Sequence, residues 1–262
     1  MDLLISVLQR ALIAGTPLLL GTLGEIIAER SGILNLGVEG MLALGAVSAF
    51  IVTLTTGSPW LGLLAGIAVG AAAAFLHAVV TVTLQSNQVV SGLALTMLGL
   101  GGSGLWGKPY IGMPLKIKMD AFRLPVLGKI PVIGDIFFYH DAFFYLAILL
   151  GVLAWFALKH TRWGIYVRAV GENPKAAESQ GINVNLVRYL CVVIGGGFAG
   201  MAGANLSIAY SKSWIEGMTA GRGWIIIGLT IFALWKPGRA FVGAYLFGGI
   251  FVLQYLLQPL GI

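Results

Sequence analysis

Seven apolar windows, at about residues 11–28, 33–56, 59–84, 89–105, 142–158, 189–210 and 240–257, constrain this chain more than any other feature. Each is close to the ~20 residues that a helix rising 1.5 Å per residue needs to cross ~30 Å of hydrocarbon. A further run, Trp224 to Trp235, is short for a crossing unless it recruits Thr219–Gly223. Alternation with a period of two is absent, which argues against an outer-membrane barrel. The fold class that follows is all-α: a polytopic transmembrane bundle of about eight helical segments over residues 1–262, as a single domain. Composition agrees, because charged residues make up only 10% of the chain where a soluble domain carries roughly 25%.

Within this apolar background, Glu25-Ile-Ile-Ala-Glu-Arg-Ser-Gly-Ile-Leu-Asn-Leu-Gly-Val-Glu-Gly40 places carboxylates, an arginine and an asparagine where lipid is expected. An ionisable group in a span costs ~2.5–3.5 kcal/mol on insertion scales, so it faces a bundle interior or an aqueous path. Asn35 and Glu39 are four apart, and on one helix they would offer an amide and a carboxylate to one cavity. Glu39 also has structural readings: pairing with Arg30, or capping a broken helix. Asn205 and Trp224 are further candidates for a path, against an interhelical hydrogen bond for the first and an interfacial anchor for the second. The glycine-punctuated start of 33–56 and the short Trp224–Trp235 run have the look of discontinuous helices.

Small residues four apart, Gly66 with Gly70, Gly196 with Gly200 and Ala199 with Gly203, permit close helix crossing where lipid supplies no hydrophobic drive. The lone Cys191 allows no internal disulfide and reads as a small packing residue. His77, His140 and His160 lack ligand spacing, so no metal site is expected. Gln85-Ser-Asn-Gln88 reads as an interhelical turn or a gate. The first apolar run, with Pro17, Glu25 and Glu29, reads as mature protein rather than a cleaved leader.

The net charge of +6 does not orient the chain. Eight crossings put Arg30, Lys159, Arg162, Arg168, Lys175, Arg188, Lys236 and Arg239 on one side and Arg10, Lys108, Lys116, Lys118, Arg123, Lys129, Lys212 and Arg222 on the other. The basic residues are evenly divided, so the positive-inside rule is silent. No basic run suggests nucleic acid.

Two polar connections interrupt the spans. Residues 106–141 contain Leu124-Pro-Val-Leu-Gly128 and Ile130-Pro-Val-Ile-Gly134, which read as successive turns made by proline and glycine. Such a hydrophobic loop serves as a structural lid or docks a partner. Residues 159–187 contain Gly171-Glu-Asn-Pro-Lys-Ala-Ala-Glu-Ser-Gln-Gly-Ile182. Asn173 can cap a helix that starts at Pro174, and Gly181 can supply its left-handed stop. Ala176 and Ala177 would give that helix a low-profile surface.

Glu29-Arg-Ser-Gly-Ile-Leu-Asn-Leu-Gly-Val-Glu-Gly40, with Gly171–Ile182, resembles the inner-membrane permeases of ABC importers in the branched-chain amino acid and simple-sugar group. The closest likeness is to the nucleoside branch, which works with a basic-membrane-protein-type binding lipoprotein. Leu124–Gly134 and Gly221-Arg-Gly-Trp224 share the likeness, which runs over most of the chain. The resemblance implies a type II importer-like permease in the cell membrane, with alternating access driven by a cytoplasmic ATP-binding subunit. It implies a second permease subunit, related or identical, and an extracytoplasmic binding protein as further partners. Glu172, Asn173, Pro174, Ala176, Ala177 and Gly181 would then form the coupling helix, with 159–187 cytoplasmic and 106–141 external. Such permeases often continue through a further hydrophobic stretch, whereas this chain stops at Ile262 soon after Pro259. The chain has no phosphate-loop motif, so ATP and its magnesium are expected on the partner. An ion-coupled secondary transporter is the alternative class; a membrane-embedded enzyme lacks any catalytic motif.

Overall fold

The computed structural model describes residues 2–117 and 119–258, so the expectations attached to Lys118 and to the stretch from Pro259 to Ile262 lie outside the described residues. Eleven α-helices follow one another among the described residues: α1 (Asp2–Arg30), α2 (Val38–Thr56), α3 (Pro59–Ala78), α4 (Gln88–Gly107), α5 (Ile133–Phe137), α6 (Ala142–His160), α7 (Arg162–Glu172), α8 (Pro174–Ser179), α9 (Val184–Ala204), α10 (Arg222–Phe232) and α11 (Pro237–Leu257). Among the described residues seven helical spans, built on α1, α2, α3, α4, α6, α9 and α11, are long and apolar enough to cross a membrane. The chain is thus the all-α polytopic bundle that its hydropathy dictates. π-Helical turns extend α3 through Thr83 and α9 through Tyr210.

The centre of the bundle is held by glycine. A Cβ built on Gly200 would lie 2.1 Å from the carbonyl oxygen of Gly66, and one on Gly70 2.3 Å from that of Gly196. A Cβ on Gly45 would lie 2.5 Å from the Cα of Gly200. Helices α2, α3 and α9 therefore touch backbone to backbone, the approach that small residues permit in lipid. Around this seam pack Leu18, Leu19, Leu23, Met41, Phe50 and Val192, all fully buried. α1 runs through the interior, while α4, α6 and α11 expose apolar faces such as Met97, Trp106, Val152 and Val242.

Two sequence expectations change. The connection before α8 is not a plain loop: α7 is an amphipathic helix, with Val167 and Val170 buried and Arg162, Ile165 and Tyr166 exposed. In the 106–141 segment the two turns exist, but the left-handed residues are Val126 (φ 72°) and Val132 (φ 66°), not the glycines. The amides of Gly128 and Gly134 instead close the turns on the carbonyls of Leu124 and Ile130, at 3.0 and 2.8 Å. Glycine is needed because the turns stack: a Cβ on Gly134 would sit 2.6 Å from the carbonyl oxygen of Gly128. The two-residue strands β1 (Phe122–Arg123) and β2 (Tyr139–His140) pair around them, and Arg123 bridges Asp135 at 2.5 Å. Ile136 then packs on Leu12 of α1, which fixes this loop over one end of the bundle.

Overpacking a filled helix crossing costs about 1–3 kcal/mol or more. Gly200→Val should therefore lower the thermal midpoint of the detergent-solubilised protein by several degrees. Gly228→Ala, whose Cβ would meet nothing within 4 Å, should leave the midpoint unchanged or raise it.

Candidate functional site

The chain between α1 and α2 is unwound inside the bundle. Gly32 (φ 86°) ends α1, and α2 begins only at Val38. The intervening backbone does not stay at the membrane surface. Gly37 packs on Leu95, and a Cβ on Gly40 would lie 2.5 Å from the carbonyl oxygen of Leu95, about two turns or ~11 Å into α4. Irregular backbone at that depth survives only when protein groups replace the lost helical hydrogen bonds. Here side chains of the neighbouring spans do so. The Leu34 amide donates to Gln88 Oε1 at 2.8 Å, and the Leu34 carbonyl meets His77 Nε2 at 3.2 Å. Thr96 Oγ1 donates to the Leu36 carbonyl at 2.8 Å, and the Gly37 amide donates to Asn35 Oδ1 at 3.1 Å.

A second break lies opposite. After Tyr210 the chain is held at one end of the bundle, where the Leu115 amide donates to the Lys212 carbonyl at 3.2 Å. It then passes inward over buried Trp214 to the first turn of α10, which meets α2 at Glu39. Glu39 accepts from Thr219 Oγ1 at 2.6 Å, from the Gly221 amide at 3.0 Å and from the Gly223 amide at 2.5 Å. Its carboxylate thus occupies the N-terminus of α10 while sitting in the first turn of α2. Both helix dipoles present their positive ends to it, and orphan amides of the α10 start are satisfied. A Cβ on Gly223 would lie 2.5 Å from Glu39 Cα, so only glycine allows this approach.

From that point α10 runs to the opposite end, where Trp235 Nε1 donates to Glu29 Oε2 at 2.5 Å. The chain therefore returns from one end of the bundle to the other through an irregular segment plus an eleven-residue helix. Lys236 and Arg239 consequently lie beside Arg30, Lys159 and Arg168. That grouping is the one an eight-crossing chain requires.

The four path candidates are not gathered into one cavity. Asn35 is not on the same helix as Glu39, as its spacing suggested, because residues 33–37 are non-helical, irregular through Asn35 and then turning at Leu36 and Gly37; its Nδ2 donates to Glu25 Oε2 at 3.2 Å. Asn35 and Glu39 are both buried and fully engaged. Asn205, also buried, starts the π-helical turn of α9, and its Oδ1 has no partner among the described residues. Trp224 stands on α10 with 43% of its surface exposed. The supporting side chains Gln88, His77, Thr96 and Thr219 were not among the candidates. The signal that could have found them is their polarity inside or beside apolar spans. Arg222, at the first position of α10, donates to the carbonyls of Met218 and Thr219 and lies over the rings of Tyr210 and Phe251.

In the connection between α6 and α9, Asn173 Oδ1 accepts the Ala176 amide at 3.1 Å, with Pro174 in the first position of α8. Gly181 (φ 79°) terminates it, donating to the Glu178 carbonyl at 2.9 Å. Ala177 is buried beneath the helix, so of the two alanines only Ala176 is presented outward, alongside exposed Glu172 and Asn173. α7 carries this stub onto α1: a Cβ on Gly171 would lie 2.1 Å from the Arg30 carbonyl oxygen.

Replacing Glu39 by Gln would aim an amide donor at N–H donors, leaving a buried group unsatisfied at about 1–3 kcal/mol. Glu39→Gln should abolish transport and lower thermal stability, and Glu39→Ala should do the same. A Glu39→Gln protein with wild-type stability and transport would contradict the clamp.

A family model described as branched-chain amino acid transport system / permease component matches residues 7–259. The ABC transporter permease protein TsgC13 of Haloferax volcanii, provisionally named for glucose, is 46% identical over 95% of this chain and 77% of its own length. The nucleoside ABC transporter permease protein NupC of Lactococcus lactis is 37% identical over 92% of this chain and 80% of its own. The guanosine ABC transporter permease protein NupQ of Bacillus subtilis is 35% identical, with shares of 92% and 79%. No solved structure matches. The chain belongs to this permease family and is a multi-pass membrane permease of an ABC importer.

Proposed function

We propose that this permease forms one half of the path by which a neutral nucleoside enters the cell, in alternating access driven by a separate ATP-binding subunit. The observation that carries the neutral-substrate reading is the consumption of charge at the start of α10. Glu39 is taken by three donors and Arg222 by two carbonyls and two rings, so neither charge is left to meet an ionic cargo. A nucleoside is uncharged and rich in hydrogen-bonding edges, which suits the exposed Trp224 and the unpartnered Asn205 carbonyl as lining groups. Asn35 and Glu39 would shape the path by holding its backbone rather than by touching cargo. The names of NupC and NupQ support a nucleoside. A simple sugar is the second reading, favoured by the 46% identity to TsgC13, and it shares the neutral polyol character.

The motor would act through α8. Movement of α8 passes to α7, from the Gly171 backbone to the end of α1 at Arg30, and through Glu29 and Trp235 to α10. This continuous chain of packed groups ends at the broken helix, where the path would open and close. On this reading the 159–187 connection is cytoplasmic and 106–141 external. A binding protein outside the membrane and a second permease subunit, related or identical, complete the importer. ATP and magnesium stay on the ATPase subunit.

Uptake of labelled guanosine and of labelled glucose by the reconstituted importer tests both readings. ATP-dependent nucleoside uptake that unlabelled glucose does not displace is expected. Glucose uptake without nucleoside uptake would transfer the assignment to sugars, and transport without any ATPase would refute an importer. Ala176→Glu should abolish ATP-driven uptake while leaving the permease folded. Unchanged uptake and ATPase association would remove α8 from the coupling role.

A further inference from the structure

We infer that the end of the bundle bearing Arg30 holds a binding site for the phosphate headgroup of an anionic phospholipid. A cavity of about 420 Å³ opens there between the ends of α1 and α6, the body of α7 and the start of α11. Its lining carries five cations, Arg30, Lys159, Arg168, Lys236 and Arg239. Glu29 and Glu172 line an adjoining cavity that shares Arg30 and Arg168, so those two are partly offset. Lys159, Lys236 and Arg239 line only the basic cavity among these, and the one ion pair within 4.0 Å among the described residues is elsewhere, between Arg123 and Asp135. The N-terminus of α11 opens onto the same space: Lys236 gives it no side-chain cap, and a Cβ on Gly238 would meet nothing within 4 Å. A helix start beside unpaired cations favours an anion with several acceptor oxygens.

The remaining walls say that the anion belongs to a lipid. They are Trp155, Leu158 and Pro237. Trp155 lies one turn deeper than Lys159, whose Nζ sits 5.3 Å over its ring. The two spans that bound the cavity expose apolar side chains further along their length, Val152 and Phe156 on α6 and Val242 and Leu246 on α11. Basic pockets between spans, at the level of helix ends, recognise anionic headgroups in this way. At the opposite end, the cavity beside Arg10 is lined among the described residues by that cation with Tyr210, Tyr255 and aliphatic groups. The site is distinct from the surface of α8, so lipid and motor can be bound together.

The full-length chain in nanodiscs of mixed phosphatidylglycerol and phosphatidylcholine tests this. The affinity for phosphatidylglycerol with brominated tails, read from the part of the quenching that depends on Trp155, should exceed that for brominated phosphatidylcholine at least roughly five-fold, the worth of one basic side chain at an anionic surface. The triple variant Lys159→Gln, Lys236→Gln, Arg239→Gln should lose the preference while keeping its helicity and its thermal midpoint in pure phosphatidylcholine. Trp155→Phe should remove most of the selective quenching. No preference in the wild type, or a preference kept by the triple variant, would overturn the proposal. Millimolar inorganic phosphate should leave the quenching unchanged; its loss would mean a free-phosphate site instead of a lipid site. Release of the ATPase subunit by the triple variant with lipid preference intact would assign the surface to the motor and equally overturn it.

Discussion

A chain that leaves the helical state inside a bilayer must find a protein partner for each amide it exposes, and the carboxylate of Glu39 meets that demand for the start of α10. Without it, the Gly221 and Gly223 amides would face an apolar interior, and the short helix would have no fixed origin. The same side chain belongs to the first turn of α2, so one group pins two helix starts against each other. An anion costly to bury becomes tolerable because two dipoles and a hydroxyl converge on it. The placement of Trp224, the reach of Trp235 to Glu29 and the course of the 211–221 segment all depend on that point.

Around the clamp the bundle is held in two different ways. Backbone contact among α2, α3 and α9 through Gly45, Gly66, Gly70 and Gly200 leaves little room for sliding. α10, by contrast, is eleven residues long and is followed by two left-handed residues, Leu234 and Trp235. Polar clamps hold it at either end, to Glu39 and, through Trp235, to Glu29, and Ile226 and Leu229 are buried between them. A short helix fed by an irregular segment is the kind of discontinuous element found beside transporter substrate paths. The amphipathic α7 joins α8 to the bundle and rests directly on the end of α1.

Much of this was legible in the residues. Apolar windows placed the spans because hydrocarbon thickness fixes their length, and Asn173, Pro174 and Gly181 marked α8 because capping and left-handed termination are local chemistry. The short Trp224–Trp235 run and the glycine at position 37 pointed to broken helices. What could not be read was long-range pairing. The four-residue spacing of Asn35 and Glu39 suggested one helical face, yet Gln88, His77 and Thr96 reach across from other spans and hold residues 33–37 out of the helix. α7 was missed because its apolar residues are too few to resemble a span and its basic residues resemble a loop. In the paired turns, proline placement was informative, but the glycines answer to a stacking contact between the turns that no local rule contains.

Hydrogen exchange at the α10 start tests the central claim most directly. In lipid, the Gly221 and Gly223 amides of the wild-type protein should exchange far more slowly than the exposed Asn185 amide, and Glu39→Gln should accelerate them while the amides of α3 and α9 around Gly70 and Gly200 remain protected. Fast exchange at Gly221 and Gly223 in the wild type, or exchange indifferent to residue 39, would contradict the account.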